Sequence, residues 1–156
     1  MIVETLTGLF KTNHYAIRVN AEGISDEEAL RQPEPAGNCM NWVVGHIIAS
    51  RNRALALLGE EPVWSREDEE RYKRGSAPIR GAGEGRPFST QMADLDRSQE
   101  RLLSGLEKTG DAKMGEPLPE WGTVRQALFF LHFHEAYHAG QVAVLRRLAG
   151  KPGAIQ

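Results

Sequence analysis

The stretch His134-Glu135-Ala136-Tyr137-His138 sets two imidazoles four residues apart in a segment with helical apolar spacing. On an α-helix such a pair projects from one face, with Cβ atoms about 6 Å apart. Both rings can then reach one ion, whose bonds to nitrogen are about 2.0–2.1 Å for zinc. The spelling H-E-x-x-H is also that of zinc peptidases, where the glutamate is the general base. Those enzymes take a third ligand from further along the chain. The eighteen residues after His138 contain no His, Asp, Glu or Cys. The peptidase reading is set aside, and a third ligand is expected upstream.

Three other histidines are available: His14, His46 and His132. At 100° per residue, His132 lies about 160° from His134 and faces away from the pair. His46 sits inside "NWVVGHIIASRN" at the margin of an apolar helical face, where a lone histidine is ordinarily a satisfied core residue. The late pair needs a partner, which favours His46, with His14 as the alternative. Three imidazoles and an open position match catalytic zinc sites, and they accept nickel or another late first-row ion as well. Such an ion lowers the pKa of bound water or of a thiol, giving a nucleophile at neutral pH.

Helix phase suggests the neighbours. Gln141, seven residues after His134, shares the ligand face and is placed to orient a water or a ligand's second nitrogen. Tyr137 lies about 60° from His134 and Glu135 about 100° away, so both are candidate proton carriers. Glu135 reads first as a supporting or surface carboxylate, and Gln141 equally as a polar packing residue. On the earlier helix, Trp42, Ser50 and Arg53 fall within about 40° of His46 and are expected to line a substrate cleft. An arginine there can take a carboxylate bidentately. Cys39 reads as a buried, inert thiol.

Four long helical stretches must position these residues. The first covers about 2–21, with Ile2, Leu6, Leu9, Phe10 and Ile17 as its stripe. "SDEEAL" reads as a capped short helix. The second long stretch runs from Asn38 as N-cap to a stop at Gly59. The third runs from about Ser89 through "LEK"; the fourth opens on a Thr123–Gln126 capping box and ends at Gly150. A long Gly/Pro-rich loop with one acidic helical segment follows the second stretch, and a shorter loop follows the third; both are expected to border a site. No strand signal appears. The expectation is an all-α, single-domain four-helix bundle with up-down packing, spanning 1–156.

The bulk composition agrees. Of the 156 residues 40% are hydrophobic and 26% charged, with a net charge of −2. No basic stripe invites nucleic acid, and positive residues alternate with acids in "REDEERYKR". A single cysteine fits a reducing compartment, no signal peptide is evident, and no apolar run suits a membrane span. A cytoplasmic protein with a small-molecule substrate is expected.

"NWVVGHIIASRN" and "HEAYHAGQ", in this order, resemble the second-helix and last-helix motifs of the DinB-like family, the DNA-damage-inducible group unrelated to the polymerase of that name. The "RGS"-containing loop and the "LPEWGT" lead into the last helix fit as well, so the likeness covers nearly the whole chain. The resemblance implies a four-helix bundle, often a homodimer, with a divalent ion on His46, His134 and His138. Relatives include transferases that use small thiols such as bacillithiol or mycothiol, and others described as metal-dependent hydrolases. It marks no catalytic role for Glu135. A metal-stabilised helical dimer without catalysis is the competing expectation, and a closed coordination shell would favour it.

Overall fold

The computed structural model describes residues 1–155. Four long helices form the body: α1 (Ile2–Ala21), α2 (Met40–Leu58), α4 (Phe88–Lys113) and α5 (Val124–Leu148). The short α3 (Arg66–Arg71) lies in the long loop between α2 and α4. The expected bundle is present, with small additions. "SDEEAL" forms a 3-10 turn, Glu28–Leu30, closed by a reciprocal capping box between Ser25 and Glu28. The lead into α5 pairs β1 (Pro117–Leu118) with β2 (Gly122–Thr123) in a minimal antiparallel hairpin, too short to leave an alternating sequence pattern.

Helix ends follow local chemistry. Thr123 caps α5, its hydroxyl accepting from the Gln126 N–H as the capping box predicts, while the Gln126 side chain takes the Thr123 hydroxyl instead of the backbone N–H. Gly59 ends α2 at φ 75°, the left-handed turn that glycine adopts without strain. The expected Asn38 cap is displaced by one residue: Cys39 occupies the cap position and makes no side-chain capping bond. Its thiol instead donates to the Ile79 carbonyl at 3.3 Å. The last turn of α4 is broken at Gly110 (φ 68°, ψ 175°).

Paired residues give the helix directions. Asn13 meets His132 and Asn20 meets Arg146, so α1 and α5 run parallel. Asn41 meets Gln91 and Arg51 meets Ser98, so α2 and α4 also run parallel. Met1 lies against Asp111 and His14 against Asp96, which makes α1 and α4 antiparallel. The order is therefore up, down, down, up rather than a strict alternation. A chain entering a parallel neighbour must recross the bundle's length, and residues 59–87 do so.

The core has two apolar halves. One is built around Ile17, Val44, Ile47, Leu95 and Val142, the other around Phe10, Leu55, Leu102, Leu106 and Leu128. Each long helix contributes polar residues between them: Asn13 and His14, Arg51, Ser98 and Gln99, and His134, Glu135 and His138. Among the described residues, no helix is long and apolar enough to cross a membrane.

Candidate metal centre

His46 extends from α2, and His134 and His138 from α5, at the edge of this polar layer. His134 Nε2 lies 3.1 Å from both His46 Nε2 and His138 Nε2. Candidate ligand atoms of all three lie within 4.8 Å of one another. His46 Nδ1 is 2.7 Å from the Tyr72 carbonyl, which can only accept, so Nδ1 carries the proton and the Nε2 lone pair faces inward. His138 Nδ1 donates to Gln141 Oε1 at 2.7 Å, with the same consequence. Two lone pairs thus converge on the His134 Nε2 at this separation, a set of nitrogens suited to hold a cation between them. A tetrahedral ion with bonds of about 2.0–2.1 Å separates its nitrogens by about 3.3 Å, close to what the rings present. The residues fit the group.

Burial keeps these imidazoles neutral and so ready to coordinate. It is the largest cause in each case, and it lowers His134 to about 4, with the neighbouring His138, His46 and Arg53 charges adding to the effect. His46 is lowered by burial, against the opposing Tyr72 hydrogen bond, and His138 by burial against the Gln141 bond. His134 Nδ1 is buried without a hydrogen-bond partner. No other His, Cys, Asp or Glu joins the triad among the described residues.

The support for His46 is built from the loop. Gly45 leaves room for the Tyr72 ring, whose Cδ1 would lie 2.2 Å from a Cβ at that position. The Tyr72 hydroxyl takes the Arg86 N–H at 2.6 Å, pinning the far end of the loop. Arg71 donates to the Glu84, Ala77 and Pro78 carbonyls, fixing the turn between.

A cleft of about 320 Å³ opens beside His46 and His134. Ser50 and Arg53 line it as expected. Trp42 does not. Its indole stacks behind the His46 ring (centroids 4.8 Å, 13°) and donates to Ser76 Oγ at 2.8 Å, buried under the loop. Phe130, Glu70, Lys73 and Arg74 complete walls that sequence reasoning missed: Phe130 stands one turn before His134 on α5 and helix phase could have found it, while α3 and the loop reach the cleft only through the fold.

The proton-carrier candidates separate clearly. Gln141 holds His138 as expected of an orienting residue. Tyr137 is 61% exposed and meets the His138 ring edge-on at 5.3 Å, outside the cleft. Glu135 is neither a surface carboxylate nor free for proton transfer: Arg51 donates to its two oxygens at 2.7 and 2.9 Å, and both side chains are buried. Its offset around the helix aims it into the core. His14, the alternative third ligand, lies outside the triad, 3.2 Å from Asp96 and 3.5 Å from Arg51. His132 turns away from the pair as expected, half-buried and edge-on to Phe10 at 5.7 Å.

The sequence model of the DinB superfamily matches residues 10–142, a span that holds the triad and Gln141. The chain belongs to the DinB superfamily. A crystal structure titled as a conserved protein of a locus from Enterococcus faecalis has the same fold. Its TM-score is 0.74 at 18% identity, over 95% of this chain and 97% of that one. No curated protein matches the chain. Membership in the DinB superfamily and three histidines positioned for an ion thus rest on separate observations, one of sequence and one of geometry.

Proposed function

We propose that this DinB protein binds one divalent ion, zinc or nickel, through His46, His134 and His138, and that it is a metal-dependent hydrolase or small-thiol transferase acting on a small molecule. The observation that carries the reading is a three-nitrogen set, with no fourth His, Cys, Asp or Glu ligand among the described residues, beside an open cleft. A closed shell would favour a purely structural ion. When bound, the ion would supply Lewis-acid activation of water or of a thiol cosubstrate such as bacillithiol or mycothiol. The chain's own residues do the rest. The Tyr72 carbonyl and Gln141 lock two imidazoles in the coordinating tautomer, and Ser50 and Arg53 present polar groups along the cleft. The reading places the protein in the cytoplasm and assigns it no nucleic-acid partner.

The test begins with elemental analysis and zinc or nickel titration of the protein and of His46→Ala. The variant is expected to lose the ion; unchanged metal content would remove His46 from the centre. Turnover of electrophilic esters with water, and of alkylating electrophiles with a panel of small thiols, then separates hydrolase from transferase.

A homodimer is part of the same proposal. Phe133, Tyr137, Val144 and Leu148 leave a stripe of α5 exposed at intervals of four and seven residues, the pattern of a helix that packs on another. Sedimentation of Phe133→Glu should show a monomer where the parent chain shows a dimer. A parent chain that sediments as a monomer at micromolar concentration rejects the dimer.

A further inference from the structure

The cleft's walls differ in character, and the difference bears on what it takes. On α2, His46, Ser50 and Arg53 follow one another at four and three residues, so one helix face leads from the triad toward the cleft mouth. The axial distance from His46 to Arg53 is about 10 Å at 1.5 Å per residue. The loop adds Lys73 and Arg74, with Glu70 beside them. Lys73 is committed to Glu70, its Nζ 2.5 Å from Oε2. The other carboxylate on this wall, Glu69, accepts from Asn52 at 2.5 Å. Arg53 and Arg74 have no hydrogen bond or ion pair among the described residues, and both are exposed. The acids are engaged and the guanidinium groups are not.

The facing wall is apolar. Phe130 is 48% exposed, stacks against His134 with centroids 6.4 Å apart and is extended by Trp121 at 4.9 Å. A ring left in water beside a coordination site is ordinarily covered by what binds there, because burying it gains about 25 cal/mol per Å².

We propose that this cleft binds a small amphipathic anion, its carboxylate or phosphate held by Arg53 and Arg74 and its apolar part against Phe130. The proposal rests on reading the cleft as the substrate site of the metal centre, and it names the substrate class. Two planar guanidinium groups suit a two-oxygen head group, which each can bind bidentately. A neutral molecule would leave both unanswered. The apolar wall lies next to His134, so the substrate's reactive part would sit at the triad with its head toward the mouth.

Benzoate, phenyl phosphate and neutral benzamide serve as probes, titrated calorimetrically into chelator-treated and zinc-loaded protein. The parent chain is compared with Arg53→Gln, Arg74→Gln, the double variant and Phe130→Ala, each checked for metal content and melting temperature. Chelator-treated protein should bind one or both anions at least roughly tenfold tighter than benzamide, increasingly so at low salt. The better anion identifies the head group. The double arginine variant should lose roughly that factor for anions and none for benzamide; Phe130→Ala should weaken all three. Equal binding of benzoate, phenyl phosphate and benzamide, unchanged anion affinity in a folded double variant, or no binding in the millimolar range overturns the proposal. If zinc fails to bind while the arginines still select anions, the metal reading fails and this one stands. Zinc binding and turnover without such selection has the reverse meaning.

Discussion

At the scale of single residues, the centre is decided by which nitrogen of each imidazole carries the proton. An acceptor on Nδ1 turns the Nε2 lone pair toward the triad, and Gln141 does this for His138 at 2.7 Å. Replacing Gln141 with Leu keeps the bulk and removes the acceptor. Zinc affinity, measured by competition with a chromophoric chelator, should fall by about 10–100-fold, the usual effect of losing such a support. The melting temperature of the metal-free protein should hardly change, which separates orientation from folding. Gln141 was legible in the sequence because it rides the same helix as the ligands it serves. The support for His46 was not: it is a backbone carbonyl, and every residue has one. Glu135 was misplaced for a related reason. Helix phase gave its direction away from His134, while the guanidinium that fills that direction comes from Arg51 on another helix.

At the scale of elements, one contact seats the loop on α2 behind His46 and a second joins α2 to α5, and both can be broken. The first is the seat of Tyr72 against Gly45. A methyl at residue 45 would lie 2.2 Å from the Tyr72 ring, so the ring and its segment must move. Gly45→Ala should therefore lower both the melting temperature and zinc affinity, although alanine favours the helix by about 1 kcal/mol in an exposed interior position. An unchanged zinc affinity would show that the Tyr72 carbonyl does not hold His46. The second contact is the buried pair between Arg51, just over a turn past His46 on α2, and Glu135, between the two ligands on α5. Glu135→Leu strands a buried guanidinium and should cost about 3–5 kcal/mol in chemical denaturation, while Arg51→Met with Glu135→Leu should recover most of it. If the single and double variants lose the same stability, the pair is no more than packing. The helices were legible from apolar spacing and caps. Their directions were not, because spacing within one helix says nothing about which neighbour it meets. The long segment 59–87 was the available hint: a connection of that length is what a parallel α2 and α4 require.

At the scale of the whole molecule, all five histidines are buried enough to be shifted the same way. His14 and His134 are lowered to about 4, burial being the largest cause for each, and burial also lowers His46, His132 and His138. In the unfolded chain they take up protons near pH 6.5, roughly the ordinary value. Between about pH 6.5 and 4 the unfolded state therefore binds more protons than the folded one, and stability rises with pH across that window. It is fully present above about 6.5 and is lost as the medium is acidified. The shifted carboxylates belong to a lower window, since Glu28, Asp68, Glu70 and Asp111 are all held below their ordinary values. Calorimetry of chelator-treated protein should show the melting temperature falling steadily as pH drops through this histidine range. His14→Gln, which removes a titrating group outside the triad, should flatten part of the slope. Zinc should raise the melting temperature at neutral pH by binding only the folded state, and that increment should vanish toward pH 4 as protons displace the ion. A melting temperature that is level from pH 6.5 to 4, with or without zinc, would mean that the polar layer between the two core halves admits protons as freely as water does. The burial that poises the triad for a cation would then be absent.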